Sequence, residues 1–245
     1  MTISRLILFF LLAALSLGLV LSEKTENSPA GENRVEQYQY EAVPMGKEED
    51  TEVIEASFSF ENDCIVVSST KVSQKAQERT LLKLTQEGDL ISGTRRRVAN
   101  SGSSSQAVIW RDEQRAYIER TSGERKETTV IKMIPQGSTL AVEGSLVVLL
   151  RSFPYQSATT WHLFMIDFRG KSIGATARQT GIERITVPAG DFFCYQIEIY
   201  FGVPSFSHVA CWLSIDKPHV LVKSVGKRGP FTPTYVTSLI RRPLP

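Results

Sequence analysis

A chain of 245 residues, 42% hydrophobic and 22% charged, excludes disorder, a collagen repeat and a polytopic membrane protein, and suits one large β domain or two small ones. The formal charge of +2 hides an asymmetry: residues 23–52 hold nine carboxylates against Lys24, Arg34 and Lys47, so that with Arg5 ahead of them the remainder is left at about +7. So modest a basic balance belongs to solvated strand faces and gives no reason to expect a nucleic-acid partner, while association with an anionic membrane surface stays open.

Residues 1–22 read as a signal peptide. Met1 to Arg5 gives a positive start, and Leu6 to Val20 is an apolar run interrupted only by Ser16 and Gly18. That is short of the roughly 20 apolar residues of a spanning helix. Small residues Val20 and Ser22 suit cleavage after Ser22, and the alternative is an uncleaved membrane anchor. No cysteine follows the run before Cys64, which excludes a lipid-modified N-terminus. Both readings place the body outside the cytosol, in the periplasm or cell envelope. Residues 23–52, acidic and poor in apolar side chains, read as a flexible linker, and 53–245 as a single β-rich domain.

Strand signals then follow one another. Ile54, Ala56, Phe58 and Phe60 alternate with polar neighbours. Thr80–Gln86 turns at Glu87-Gly88-Asp89 into Leu90–Val98, then come Ala107–Arg111, Arg115–Arg120, a Ser122-Gly123 turn and Thr128–Ile134. Leu146, Leu149, Leu150 and Phe153 recur at helical spacing before Pro154, which predicts one helix within 140–153. Strands resume at Trp161–Phe168, a turn at Arg169-Gly170-Lys171, Ile173–Arg178, Arg184–Val187, Phe192–Phe201, Val209–Ile215, Val220–Val225 and Tyr235–Ile240. In Phe192–Phe201 the apolar residues Phe193, Tyr195, Ile197 and Ile199 share one face. The fold class is mainly β: a large curved antiparallel sheet or open half-barrel, one helix packed on its concave side.

Three cysteines in an oxidising compartment allow one disulfide. A turn at Gly202–Ser207 sets Cys194 opposite about residue 215, leaving Cys211 some four residues away along the strand. Buried free thiols are therefore expected unless a bulge resets the register.

A longer string, Ser145, Leu149, Leu150, Arg151 and Pro154, then Ile185-Thr186-Val187-Pro188-Ala189-Gly190-Asp191-Phe192, Cys194-Tyr195-Gln196-Ile197-Glu198, Trp212-Leu213-Ser214 and Leu221-Val222-Lys223, resembles the bacterial exported family catalogued as domain of unknown function 3108. The likeness spans about residues 140–241. It implies a sheet wrapped partly round its helix, similar to the half-barrel of periplasmic lipoprotein carriers, with no assigned activity and no catalytic residues.

Chemistry-bearing motifs are sparse. Gly170-Lys171-Ser172 has Met165 where a phosphate loop needs its first glycine, and sits between strands. His208 and Cys211 are an odd separation apart on one strand, so they point to opposite faces, and no cofactor or metal is expected. His162 and His219 have no Gly-x-Ser-x-Gly elbow to join, leaving only a scattered triad as a hydrolase alternative. Glu183, Asp191 and Glu198 read as solvated charges. The candidate ligand surface is the aromatic and apolar set Trp161, Met165, Phe193, Tyr195, Ile197 and Leu213, to which Trp212 and Tyr235 add aromatic area. The candidate basic surface is Arg95, Arg96 and Arg97, joined by Arg178, Arg241 and Arg242. The expected function is that of a non-enzymatic exported envelope protein binding a hydrophobic ligand, or a lipidated or unfolded client, on the concave sheet face. The alternative is a tethered module that meets an envelope protein partner.

Overall fold

A computed structural model describes residues 34–242 apart from 62, 113–114, 132–133, 143, 156–159, 203–207 and 228–231. The signal-peptide expectation lies outside the described residues, as does the linker expectation for residues 23–33. The described residues belong to one compact unit.

The remainder of the expected linker is a correction: Arg34–Pro44 is a strand, β1, buried at every second position from Glu36. Tyr38, Tyr40 and Ala42 face inward at 6%, 4% and 0% exposure, and the hydrogen-bonded ladders on both flanks fix the segment. Eight strands run outward from it as an antiparallel meander: β2 (Glu52–Phe60), β3 (Ile65–Val72), β4 (Ala76–Leu84), β5 (Leu90–Ala99), β6 (Ser104–Arg111), β7 (Ala116–Ser122) and β8 (Arg125–Ile131), counting β1. The chain then starts again at the opposite edge with β9 (Thr139–Val142). It returns through β10 (Trp161–Ile166), β11 (Ser172–Val187), β12 (Gly190–Phe201), β13 (His208–Ser214), β14 (Leu221–Lys227) and β15 (Thr234–Arg241), which closes against the free side of β1. All ladders are antiparallel except β9 with β10.

This connectivity forces curvature. Fourteen strand spacings of about 4.8 Å would set the two edges roughly 67 Å apart in a flat sheet. The eight residue steps from Ile131 to Thr139 reach at most about 29 Å. The sheet must therefore roll, and it does: a Cβ on Gly170, in the β10–β11 turn, would lie 2.9 Å from Thr129 of β8. The β9 edge is turned inside the roll. Leu140 N–H donates to Asp89 Oδ1 at 2.8 Å, and Leu140, Ala141 and Val142 are wholly buried. No ladder joins β8 to β9 among the described residues, so the sheet stays open.

Two sequence expectations are corrected by this arrangement. The run from Leu140 is strand before it is helix, because an unbroken apolar stretch carries no period that separates the two. The helix, α1, is only Leu146–Arg151, entered through Ser145, whose hydroxyl bonds both the N–H and the carbonyl of Val142. Second, Ile173–Arg178 and Arg184–Val187 are one strand, β11, carried across Gly181 by a bulge between Gln179 and Gly181.

Helix α1 packs on the concave face as expected. The β4–β5 turn comes so close to it that a Cβ on Gly88, which has φ +91, would lie 2.9 Å from Leu149 Cδ2. Beneath the helix, paired strands present Phe58, Val67, Leu82, Ile109 and Ile118 at 0–3% exposure. The three cysteines are free and buried. Cys194 stands opposite Ser214 and Cys211 opposite Ile197, one residue from the expected register.

Candidate functional site

Alternation along the strands decides which side chains enter the roll, and α1 divides the space they enclose. On one side of the helix lies a cavity of about 880 Å³, walled on its apolar side by Phe60, Ile65, Val148, Phe153, Tyr155 and Tyr195. On the other lies a smaller one of about 210 Å³, lined by Tyr40, Phe58, Leu82, Val147 and Phe168 among others, with the Lys71–Glu78 ion pair at 3.4 Å on its rim.

The polar end of the larger cavity is organised around Glu36. Its Oε2 accepts from Arg151 Nη1 at 2.7 Å and from the Tyr38 hydroxyl at 2.8 Å. Its Oε1 lies 2.9 Å from Arg34 Nη2, an ion pair without hydrogen-bond geometry. One carboxylate thus serves two guanidiniums. Glu36 and Arg151 keep only 5% and 8% of their side-chain surface, whereas Arg34 keeps 64%. The Arg151 guanidinium lies over aromatic faces, 4.6 Å from the Phe58 centroid and 5.4 Å from that of Tyr38. Its Nε and Nη2 are buried with no hydrogen-bond acceptor, and the Tyr40 hydroxyl is likewise buried without a partner. Burial pushes the Tyr38 phenol up to about 12 and raises Tyr40 further. Both are neutral at ordinary pH and add no negative charge against Arg151.

Another part of the lining is aromatic. Tyr155 donates to the Leu150 carbonyl, stacks on Tyr195 at 4.3 Å between centroids and meets the His219 ring at 4.6 Å. His219, at φ 56, is held by a 2.9 Å contact between Nδ1 and the Ser214 carbonyl. Burial raises the Tyr155 phenol.

Of the six candidate ligand residues Tyr195 lines the larger cavity, where it is joined by His219, considered from the sequence only for a scattered triad, and by Arg151 and Pro154 of the family-like string. Ile197 and Leu213 are wholly buried fillers of the core under it. Trp161 is half-buried against Phe153 at 5.9 Å, and Met165 is half-buried against the same core. Phe193 is 64% exposed, because it stands near the hairpin end of β12, beyond the cover of the concave face. The arginine triplet is not one surface. Arg95 points inward with its guanidinium 4.7 Å over the Phe168 ring, Arg96 points to the opposite face, and Arg96 and Arg97 are exposed. Arg178 is on the convex side, donating to Tyr200 at 2.9 Å, and Arg242 lies over Phe192. His208 stacks on Tyr200 on that same side, while Cys211 is inside. Gly170-Lys171-Ser172 forms the β10–β11 turn, organised by Asp167 Oδ1, which accepts from the Arg169 and Lys171 amides. Arg34, Glu36, Tyr38 and Tyr155 escaped sequence reasoning, and Arg151 was seen only as part of a family-like string. The one local signal was the alternation of Glu36, Tyr38, Tyr40 and Ala42, obscured by the acidic composition around it.

No family model matches the chain, so the likeness to domain of unknown function 3108 finds no support there, and no curated protein matches it either. Among solved structures the chain is similar to a β-barrel-like protein of domain of unknown function 1849 from Brucella abortus, with 7% identity and a TM-score of 0.59 over 88% of this chain and 100% of that one. That likeness shows the fold. Structures of a lipoprotein candidate from Parabacteroides distasonis (12% identity, TM-score 0.34, 88% and 97% covered) and of an exported-protein candidate with a YmcC-like fold from Bacteroides fragilis (9%, 0.31, 85% and 95%) also align. Among the described residues no helix is long and apolar enough to cross a membrane.

Proposed function

We propose that this is a non-enzymatic exported protein of the cell envelope that binds a hydrophobic ligand, or the acyl or apolar segment of a client, inside the roll of its sheet. The observation that carries the reading is the cavity of about 880 Å³ beside α1, walled by six aromatic and aliphatic side chains. Its volume lies within the range of about 300–1,000 Å³ of small-molecule sites, and its apolar wall adjoins a polar, solvent-open side that carries Arg34, Glu36, Arg151 and Lys217. The apolar run Leu6 to Val20 supports export. The Cys211 thiol, close enough to Tyr155 to act on it electrostatically, is pushed up to about 12 by burial, which suits a packing residue and not a nucleophile.

Native mass spectrometry of the protein purified from its own envelope, together with titration by a fluorescent fatty acid, tests the reading. The expected result is a stoichiometric adduct or saturable uptake that a Val148→Trp substitution, which fills the cavity, reduces about tenfold or more. An empty protein with no saturable uptake would overturn it.

A further inference from the structure

We propose that the larger cavity selects an anionic amphiphile, a long acyl chain ending in a carboxylate, whose head is met by Arg34 and Arg151 while the chain lies along the aromatic wall. The inference rests on the hydrophobic-ligand reading and specifies the class of ligand.

The charges lining the cavity are unequal. Arg34, Arg151 and Lys217 stand against Glu36 alone, a surplus of two positive charges with histidine counted neutral. Glu36 already engages both arginines, so it cannot also balance them, and Tyr38 and Tyr40 stay protonated. Of these cations only Arg151 has a buried side chain, where its charge attracts an anion more strongly than in water, while Arg34 and Lys217 are exposed and act through a solvent-screened field.

The hydrogen-bond accounts of Arg151 point the same way. Two of its donors, on Nε and Nη2, lie out of reach of solvent and have no acceptor, and leaving donors of a charged group unmet inside a protein costs free energy that aromatic faces only partly return. A carboxylate is the acceptor that guanidinium donors match best, through two parallel bonds. Because neither nitrogen is accessible in this state, engagement needs rearrangement at the cavity wall. Arg34, the exposed partner in the triad, is the cation that an entering head meets first.

The aromatic lining adjoins the arginines: Arg34, Glu36 and Arg151 cluster where β1 meets the end of α1, and Tyr155, which bonds the Leu150 carbonyl, packs with Tyr195 and His219 in the same lining. A ligand with its head at the arginines therefore directs its chain toward the stacked Tyr155 and Tyr195 rings. An uncharged chain would occupy the aromatic wall and leave the cations unmet.

The test is displacement of a fluorescent fatty acid from the full chain by hexadecanoic acid, by hexadecan-1-ol and by inorganic phosphate, at about pH 7.5. The acid is expected to bind at least about tenfold more tightly than the alcohol, equivalent to about 1.4 kcal/mol, with phosphate alone displacing nothing. Arg34→Ala combined with Lys217→Ala, both changes at exposed residues, should weaken binding of the acid by about tenfold and bring it close to the alcohol. Arg151→Met should do the same if it folds, and the surface pair keeps the proposal open to refutation if it does not. Equal binding of acid and alcohol would overturn the anionic selectivity while leaving hydrophobic binding intact. Displacement by phosphate alone would overturn the requirement for a chain. Failure of both acid and alcohol to bind would overturn the underlying reading as well.

Discussion

Substituting Glu36→Gln removes one charge from the centre of the fold with almost no change in volume, and it isolates the electrostatic role of that centre. The side chain is 5% exposed, accepts hydrogen bonds from Arg151 at 2.7 Å and Tyr38 at 2.8 Å, and forms an ion pair with Arg34 at 2.9 Å. Loss of the carboxylate leaves Arg151, itself 8% exposed, as a buried cation with no counter-ion. Breaking a buried pair from one side costs about 3–5 kcal/mol, and at about 2–4 °C per kcal/mol for a chain of this size the melting temperature should fall by about 6–20 °C. Arg34→Ala removes an ion pair whose cation is 64% exposed and leaves Glu36 paired with Arg151, so about 0–1 kcal/mol is expected. Urea unfolding of wild type, both single variants and the double variant Glu36→Gln, Arg151→Met gives the comparison. The double variant should be more stable than Glu36→Gln alone, since it takes the orphaned charge away. If Glu36→Gln costs no more than Arg34→Ala, or if the double variant is the less stable, Arg151 is not held by Glu36 and the account of the polar centre is wrong.

Two further outcomes follow from the packing. A Cβ on Gly93 would lie 2.6 Å from Leu82 Cδ2 and 3.2 Å from Ile109 Cγ2, so Gly93→Ala should cost about 1–3 kcal/mol in urea unfolding, against about 0.5 kcal/mol or less for Gly174→Ala, where a Cβ meets nothing within 4 Å. Burial pushes the Cys194 and Cys211 thiols up to about 12, so roughly one in 10,000 is ionised at pH 8; iodoacetamide should label neither in the native protein and all three cysteines after unfolding, with labelling rising as pH approaches 12.

The β class and most strand positions were legible because their signals are local. Ile54 to Phe60 alternates with period two, and Glu87-Gly88, Ser122-Gly123 and Arg169-Gly170 mark turns that the structure uses. What failed was whatever depends on the roll. In β1 the buried positions are Glu36, Tyr38, Tyr40, Ala42 and Pro44, two of them amphipathic and one charged, so composition outweighed alternation. In Leu140–Val142 both faces are buried because the strand is the inner edge of the roll, and a strand without a wet face shows no period. The arginine triplet shows the converse: read as a cluster in sequence, it is dispersed by the alternation that defines a strand.

The site was less legible than the fold, for a reason that bears on its role. Glu36 and Arg151 are 115 residues apart, and only the return of the chain from the β9 edge brings the end of α1 over β1. Nothing in either local sequence distinguishes these two charges from solvated ones. Replacing a buried ion pair with apolar residues of similar size is often neutral or stabilising, so fold stability alone gives weak grounds for placing an arginine there. Still less does it explain two guanidiniums on one carboxylate, with two donors of the inner one unmet beside a cavity of about 880 Å³. An anion that reached those donors through rearrangement at the cavity wall would account for the surplus charge, the unmet donors and the adjoining apolar wall together, which an argument from stability does not.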